Sequence, residues 1–398
     1  MIVQLGPFRP RAVVAGILAL VSIAALAGCD AAGPPVRQAA EGAAPQSEAA
    51  RDAGTGPQAF AVSPEETAWQ WFLTLNEPLT GGKPKAWESW KQTSAVYLPD
   101  GSKPLPWDQN PPLPEPVVEE AKKQGLDLTR PFHNLDTDVQ VDGLTLRDVY
   151  RQDVRYQLLM NRGTFDYILA TGVYNVNGQE QRAADGEPLD FPAESFELKT
   201  SWIWIGDDQA IRGQLAPKYY IVNAYYRDGD RYQVGQAALT GMHIISKVRP
   251  NWVWTTFENV NNPEFTVDNA QPPGPQRYEL PIAPDVEAAN AEHREALRQQ
   301  GSIFAEYRLN GVQSEFVDPE GQPILLASSQ IESAFQHSSS CITCHGTASY
   351  SVERGYFDFV DRSDGGITYY TGNLPEAKLE GFTSLDFVWS LKRASRQR

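Results

Sequence analysis

The chain is poor in the residues that build most metal and redox centres. Its 398 residues include only three cysteines, three methionines and five histidines, and no methionine follows Met242. Three cysteines cannot form a framework of several disulfides, and they cannot supply a zinc site made of two Cys-x-x-Cys pairs. Any metal or redox chemistry must therefore use very few side chains, and their spacing becomes informative.

The chain also lacks an excess of positive charge. It contains 50 acidic and 34 basic residues, which gives a net charge of −16, and no basic stripe that would follow a nucleic-acid backbone is evident. We therefore expect no nucleic-acid partner, and a basic redox protein would suit this charge better. Internal repeats and glycine-rich phosphate loops are missing too, and after residue 28 no apolar run approaches the roughly 20 residues of a membrane span.

The N-terminal residues resemble an export signal of the lipoprotein type. Arg9 and Arg11 precede an apolar run over residues 12–26, which is too short to cross a bilayer as a mature helix. The run leads into Leu-Ala-Gly-Cys, a sequence similar to a bacterial lipobox in which Cys29 would carry the lipid. Residues 1–28 would then be the signal peptide, and their removal would bring the net charge to −18. The alternative is a membrane-anchor helix with an incidental cysteine.

Residues 341–345 read Cys-Ile-Thr-Cys-His, which is the spacing of a c-type haem attachment motif. A short turn can present two thiols to one edge of a porphyrin and place the following imidazole under the iron. The motif predicts one haem c bound covalently by Cys341 and Cys344, with His345 as the proximal iron ligand. Half a zinc site and a redox dithiol share this spacing. Both are less favoured, because Cys29 would be lipidated and because a serine-rich turn, not an obvious strand, precedes the motif.

The second axial ligand distinguishes an electron carrier from a haem catalyst. Small cytochromes c use a methionine downstream of the motif, and none follows here, so the small all-α cytochrome c fold is not expected. Met242 and His243 are the candidate distal ligands, because strand alternation points neighbouring side chains to opposite faces. One could then bind iron while the other packs, or both could be core residues.

The other three histidines are weaker candidates. His337 lies only four residues before Cys341 and could not cross to the opposite face of a haem, so a surface position is expected. His293 lies on the buried side of a predicted helix and is expected to pack in the core. His133 follows a proline in an irregular segment and indicates nothing. Beyond the motif, Gly346, Phe357, Phe359 and Tyr369 are expected to close over the porphyrin.

Hydrophobic periodicity predicts the fold of the remaining chain. Residues 29–62 are small and polar and read as a flexible tether. Ser63, Pro64 and Glu66 form a helix start with a capping box. Residues 144–169 have helical spacing, which indicates one helix broken at Gly163 or two helices. Alternating or β-branched patterns predict strands over four segments, which are residues 196–202, 219–226, 231–248 and 251–260. A helix over residues 283–300 and a hairpin over residues 304–326 follow.

These elements predict an α+β fold with N-terminal helices, a central antiparallel sheet and a C-terminal haem c segment at about residues 324–398. Residues 63–398 are expected to form a single domain. The hydrophobic fraction of the whole chain, 41%, is sufficient for a substantial core.

Six segments of the folded part resemble a group of bacterial proteins designated only as "cytochrome c family". They are WQWFLTLN at residues 69–76, AWESWK at 86–91, FPAESFELK at 191–199, GMHI at 241–244, NWVWTTFE at 251–258 and FVW at 387–389. The resemblance covers nearly all of the chain after the tether. It implies an exported monohaem lipoprotein without a specified activity.

Two functions remain from the sequence. The first is electron transfer by a periplasmic c-type cytochrome, lipid-anchored in the cell envelope and serving a redox protein partner. The second is a haem c enzyme or a gas or redox sensor with an open distal site, peroxidase-like or oxygenase-like. No catalytic acid–base pair can be identified from spacing, and electron transfer is the role that the motif itself favours.

The lipobox generates a direct test. We expect the wild-type chain to incorporate labelled palmitate in a bacterial host and the C29S variant to lose the label, because the lipid attaches to that thiol. The C344S variant is the matched control and should remain labelled. Label on C29S would exclude Cys29 as the lipidated residue.

Overall fold

A large curved β-sheet organises the fold. The computed structural model describes residues 62–77, 85–136, 146–267, 274–362 and 367–398. The predicted signal peptide, Cys29 and the tether up to residue 61 lie outside the described residues. None of the helices in the described ranges is long and apolar enough to cross a lipid bilayer.

The described residues form helices and strands in mixed order. The helices are α1 (Pro64–Asn76), α2 (Glu115–Lys123), α3 (Arg162–Thr171), α4 (Val176–Asp185), α5 (Gln209–Leu215), α6 (Asn262–Phe265), α7 (Pro284–Gln299), α8 (Cys341–Gly346) and α9 (Glu376–Leu379). The strands are β1 (Lys91–Gln92), β2 (Phe132–Asn134), β3 (Arg147–Asp148), β4 (Arg155–Met160), β5 (Phe196–Gly206), β6 (Ile221–Asp228), β7 (Arg231–Ser246), β8 (Val253–Asn259), β9 (Thr266–Val267), β10 (Tyr307–Gln313), β11 (Ser349–Ser351), β12 (Gly355–Tyr356), β13 (Val360–Asp361), β14 (Thr368–Tyr369) and β15 (Thr383–Ser384). Short 3₁₀ turns occur at Ala86–Ser89, Thr93–Ala95, Ile303–Glu306, Gln336–Ser338 and Trp389–Arg393. The fold is α+β, as predicted, and not all-α.

The 16-residue strand β7 is the centre of the main sheet. One edge of β7 pairs with β5, while the other edge pairs first with β6 and then with β8. β4 and β1 extend the sheet beyond β5, β10 extends it beyond β8, and β2 extends it beyond β6. The pairs are antiparallel except β2 with β6, which is parallel. Backbone hydrogen bonds of 2.8 and 2.9 Å join Asp136, after β2, to Tyr156 on β4, so the sheet nearly closes on itself.

The two faces of this sheet have different roles. The inner face carries Leu198, Met242 and Phe257, which pack with Trp69 and Phe72 of α1 in the main apolar cluster. The rings of Phe72 and Phe257 stack with centroids 4.2 Å apart. The outer face of β5, β7 and β8 is turned toward residues 326–398, and this face positions the candidate site.

The start of α1 and the four central strands agree with the sequence predictions. The Ser63 hydroxyl accepts the N–H of Glu66 at 3.2 Å, as an N-cap does. The carboxylate of Glu66, however, turns to His293 at 2.7 Å instead of closing a capping box. The predicted helix over residues 283–300 is α7.

Two sequence predictions were wrong in part. The first part of the segment predicted as helical over residues 144–169 contains the strands β3 and β4 instead. Its last part is helical as predicted, in a helix that begins at Arg162 and is capped by Asn161. Five of the six residues of β4 are buried, so the strand shows no alternation that could be read. The predicted hairpin over residues 304–326 is confirmed only near its turn, where Val317 and Pro323 form an antiparallel bridge and the Ile324 N–H donates to the Phe316 carbonyl at 3.1 Å. Its first strand, β10, pairs with β8 instead.

The aromatic core gives a stability prediction. Phe257 is fully buried, and F257A should lower the free energy of unfolding by about 3–5 kcal/mol, since a large cavity would remain. Urea denaturation followed by tryptophan fluorescence would measure the change. V352A is the matched control, because Val352 is 53% exposed and should cost no more than about 0.5 kcal/mol. Equal effects of the two changes would contradict this description of the core.

Candidate functional site

A cavity of about 640 Å³ lies between the outer face of the sheet and the C-terminal segment. Pockets that hold small molecules and cofactors span roughly 300–1,000 Å³. Lys199, His243 and Trp254 face the cavity from three adjacent strands. Cys341, Cys344 and His345 face it from α8, and further walls include Glu332, Phe335, Phe359 and Trp389. The structure thus brings the motif and His243 into one cavity.

The helix α8 turns the three motif side chains to one side. Cys344 and His345 follow Cys341 by three and four positions, which is the spacing of neighbours on a helix face. The two intervening residues hold the helix in place. Ile342 is fully buried in an apolar cluster, and the Thr343 hydroxyl donates to the Gly372 carbonyl at 2.6 Å. The motif therefore begins a helix, as redox dithiol motifs do. The position of the motif in the sequence was used above as an argument against a dithiol, and that argument no longer holds.

His345 has the orientation of a metal-ligating histidine. Its Nδ1 lies 2.9 Å from the carbonyl oxygen of Phe387. Because a carbonyl can only accept, Nδ1 carries the proton and Nε2 keeps its lone pair. The ring packs on Trp254 with centroids 4.3 Å apart. Burial lowers the pKa of His345 to about 4, so the imidazole is neutral at physiological pH. Histidines that bind metals commonly use the second ring nitrogen in this way.

Strand alternation separates Met242 from His243. Met242 is fully buried on the inner face in the main apolar cluster. His243 lies on the cavity face, in register with Lys199 of β5 and Thr256 of β8. Burial, together with the positive charge of Lys199 and that of His345 when it is protonated, lowers the pKa of His243 to about 3. Its Nε2 makes no hydrogen bond within the described part of the chain, and the nearest carboxylate, that of Glu332, is 4.0 Å away.

The other three histidines have roles away from the cavity. His133 is buried inside the sheet, where Nδ1 lies 2.8 Å from the side-chain oxygen of Gln157. His293 stacks on Trp69 at 5.0 Å and bonds to Glu66, as expected for a satisfied core histidine. His337 is a surface residue, with its side chain 72% exposed.

The two thiols differ from those of a redox dithiol. Burial, with a further contribution from the Glu332 carboxylate, raises the pKa of Cys344 to about 12 and raises that of Cys341 well above its usual value. Reactive thiols have lowered pKa values and are found near positive charge. The described residues also contain no group of three or more His, Cys, Asp or Glu side chains placed to hold a metal ion. The raised pKa values argue against the dithiol alternative.

Sequence reasoning missed the buried carboxyl groups of the cavity. Burial raises the pKa of Glu197 and of Glu332 to about 7. Glu197 accepts a hydrogen bond from the Ser390 hydroxyl at 2.6 Å. The alternation of residues 196–202 did place Glu197 and Lys199 on one face, but that face covers a cavity instead of meeting solvent. Glu332 lies in a loop and had no periodic signal.

The residues expected to close over a porphyrin divide into two groups. Phe359 lines the cavity. Tyr369 stacks on the cavity residue Phe335 with centroids 3.8 Å apart, whereas Phe357 packs on Phe382 at 5.2 Å. A Cβ at Gly346 would lie 2.6 Å from a methyl carbon of Leu374 and 3.1 Å from the Phe387 ring, so a larger residue would require these side chains to shift.

Comparison of the chain with protein-family models, with curated proteins and with solved structures returned no match. The assignment of the site therefore depends on its own chemistry. Two thiols and two neutral imidazoles, one of which has no hydrogen-bond partner on Nε2 among the described residues, face one cavity with aromatic walls.

The raised thiol pKa values predict slow alkylation. Only the thiolate form of a cysteine reacts. With a pKa of about 12 in place of about 8.5, the thiolate fraction of Cys344 at pH 8 is roughly a thousandfold smaller in folded protein without haem, and its alkylation should be slower by the same factor. The rate should rise about tenfold per pH unit below that pKa. Iodoacetamide labelling with mass spectrometry would measure it, and the same protein in urea is the control. Rapid labelling of folded protein at pH 7 would restore the dithiol alternative.

Proposed function

We propose that the protein is a c-type cytochrome that binds one haem covalently and transfers electrons in the cell envelope. The observation that carries the proposal is the arrangement of α8. Cys341, Cys344 and His345 face one cavity, and the Phe387 carbonyl holds the proton of His345 on Nδ1. This leaves Nε2 free to bind iron.

Each cavity residue has an assigned role in this proposal. The Sγ atoms of Cys341 and Cys344 would form the two thioether bonds, and Nε2 of His345 would be the proximal ligand. We assign the distal position to His243 in preference to Met242, whose side chain lies in the core. When bound, the haem would supply an iron that alternates between the ferric and ferrous states.

The state of His243 supports this assignment. A buried polar atom without a partner costs about 1–3 kcal/mol, so such atoms are rare unless a ligand satisfies them. Nε2 of His243 is one of several such atoms among the described residues, and it is distinguished by its position in the cavity wall. The lowered pKa of the ring keeps it deprotonated near neutral pH, as a metal ligand must be.

The walls of the cavity also suit a haem. Trp254, Phe335, Phe359 and Trp389 provide apolar and aromatic surface for a macrocycle. Lys199, Lys392 and Arg393 bring positive charge to the same cavity, where carboxylates such as haem propionates could pair with it. Arg393 already contacts Asp136 at 2.6 Å.

A second function is favoured by one observation. Glu332, with its pKa raised to about 7, lies 4.0 Å from His243. If His243 left the iron open, this pair would stand on the distal side as an acid–base couple of the kind that haem catalysis or gas sensing uses. Electron transfer remains the first proposal, since it needs only the ligands described above.

The cellular setting follows from the N-terminal motif and the charge. We propose that the chain is exported, that its Cys29 is lipidated, and that the folded part faces the periplasm. A strongly acidic surface favours a basic redox partner through complementary charge.

The visible spectrum tests both the haem and its distal ligand. Protein matured with haem, reduced with dithionite and exposed to carbon monoxide should show sharp low-spin bands that do not shift. H243A should open the iron, so carbon monoxide should shift its bands. M242L is the matched control from the opposite face of the same strand and should behave as wild type.

The other outcomes are equally specific. A wild-type spectrum that shifts with carbon monoxide would indicate an open iron and favour the second function. A protein that acquires no covalent haem, with both thiols still free by mass spectrometry, would refute the proposal itself.

A further inference from the structure

The carbonyl that orients His345 belongs to a strained turn. Asp386 and Phe387 have φ angles of +51° and +69°, in the left-handed region that side chains rarely adopt. The Val388 N–H bonds to the Leu385 carbonyl at 3.1 Å and closes the turn. Two consecutive positive φ angles are typical of a type I′ turn, in which asparagine and glycine are preferred. Aspartate and phenylalanine at these positions require surrounding contacts that hold the turn.

A buried ion pair supplies those contacts. Nζ of Lys247 lies 2.6 and 2.8 Å from the two carboxylate oxygens of Asp386, and the side chains are only 8% and 7% exposed. Asp386 also accepts the N–H of Phe191 at 2.7 Å. Lys247 bonds further to the Pro250 carbonyl and to Asp190, each at 3.2 Å. The strained turn is thereby fastened to the main sheet.

The position of Lys247 gives the pair its significance. Lys247 directly follows β7, the strand that presents His243 to the cavity. Asp386 directly precedes Phe387, whose carbonyl accepts the Nδ1 proton of His345. One ion pair therefore links the strand that carries one imidazole to the turn that orients the other.

We propose that Lys247 and Asp386 are positioning residues that set the redox potential of the iron through His345. The inference rests on the proposed haem site. A hydrogen bond from Nδ1 to a well-placed acceptor makes the imidazole a more basic ligand, which stabilises ferric over ferrous iron. When the ion pair is lost, the turn relaxes, the hydrogen bond weakens and the midpoint potential rises.

Two single variants distinguish positioning from a direct effect of charge. K247M removes a positive charge, which by electrostatics alone would lower the potential, and D386N removes a negative charge, which would raise it. Positioning predicts that both variants raise the potential. The double variant K247M/D386N leaves the summed charge of the pair unchanged, and its potential should also rise.

Spectroelectrochemical titration of the haem-loaded protein measures the potentials. K247R keeps the charge and should stay near the wild-type value. K218M removes the lysine of an exposed pair with Glu264 and should change nothing. As a second measurement, the Nδ1 proton of His345 in the ferric protein should exchange with solvent faster in K247M than in wild type.

The outcomes separate this inference from the proposed function. Opposite shifts in the two single variants, or no shift in the double variant, would overturn the positioning role while the haem site stood. A wild-type protein without haem would overturn both. If K247M does not fold because Asp386 is left as an unpaired buried charge, the double variant decides, since it buries no unpaired charge.

Discussion

The register of β7 between β5 and β8 is the constraint on which the rest of the structure depends. His243 lies opposite Lys199 and Thr256, while Met242 lies opposite Thr200 and Phe257. A slip of one residue would exchange the faces, sending the imidazole into the apolar core and the thioether into the cavity. The 16 residues of β7, paired along both edges, make such a slip costly. The same pairing fixes the end of β7 and therefore the position of Lys247, which bonds to Asp386 in the turn that orients His345. The positions of both His243 and His345 therefore depend on this register.

The apolar inner face allows the outer face to be polar. Glu197, His243 and Glu332 all face the cavity at a cost, and an unsatisfied buried polar atom such as Nε2 of His243 costs about 1–3 kcal/mol. Each large apolar side chain that is fully buried stabilises the folded state by about 1.5–3 kcal/mol. Trp69 and Phe257 are two of many such residues under the sheet. A functional face with strained or unsatisfied groups is therefore compatible with a stable fold, because the stabilising contacts lie on the opposite side.

The sequence predicted local features well and long-range ones poorly. Some predictions depend only on residues that are close together in the sequence. The Cys-x-x-Cys-His spacing indicated which side chains share one side of α8, the Ser63 cap indicated the start of α1, and the alternation of residues 231–248 indicated most of β7. β4 was missed because burial on both faces removes the alternation, and the pairing of β8 with β10 depends on residues about 50 positions apart. The Phe387 carbonyl that orients His345 could not be predicted at all, since a backbone group in a turn leaves no signal in side-chain periodicity.

The helix α8 is docked on the sheet by contacts that do not use the thiols or the imidazole of the motif. The side-chain oxygen of Gln313 on β10 accepts the N–H of Ile342 at 3.1 Å, and its amide nitrogen donates to the Ser340 hydroxyl at 2.9 Å, which docks α8 on the sheet. In small zinc domains, by contrast, the metal itself supplies the folding energy. Here both thiols line the cavity, and that of Cys341 also donates to the Leu326 carbonyl at 3.3 Å. A preformed site of this kind suits the proposed electron transfer, because ligands fixed by the protein need not move when the oxidation state of a bound iron changes.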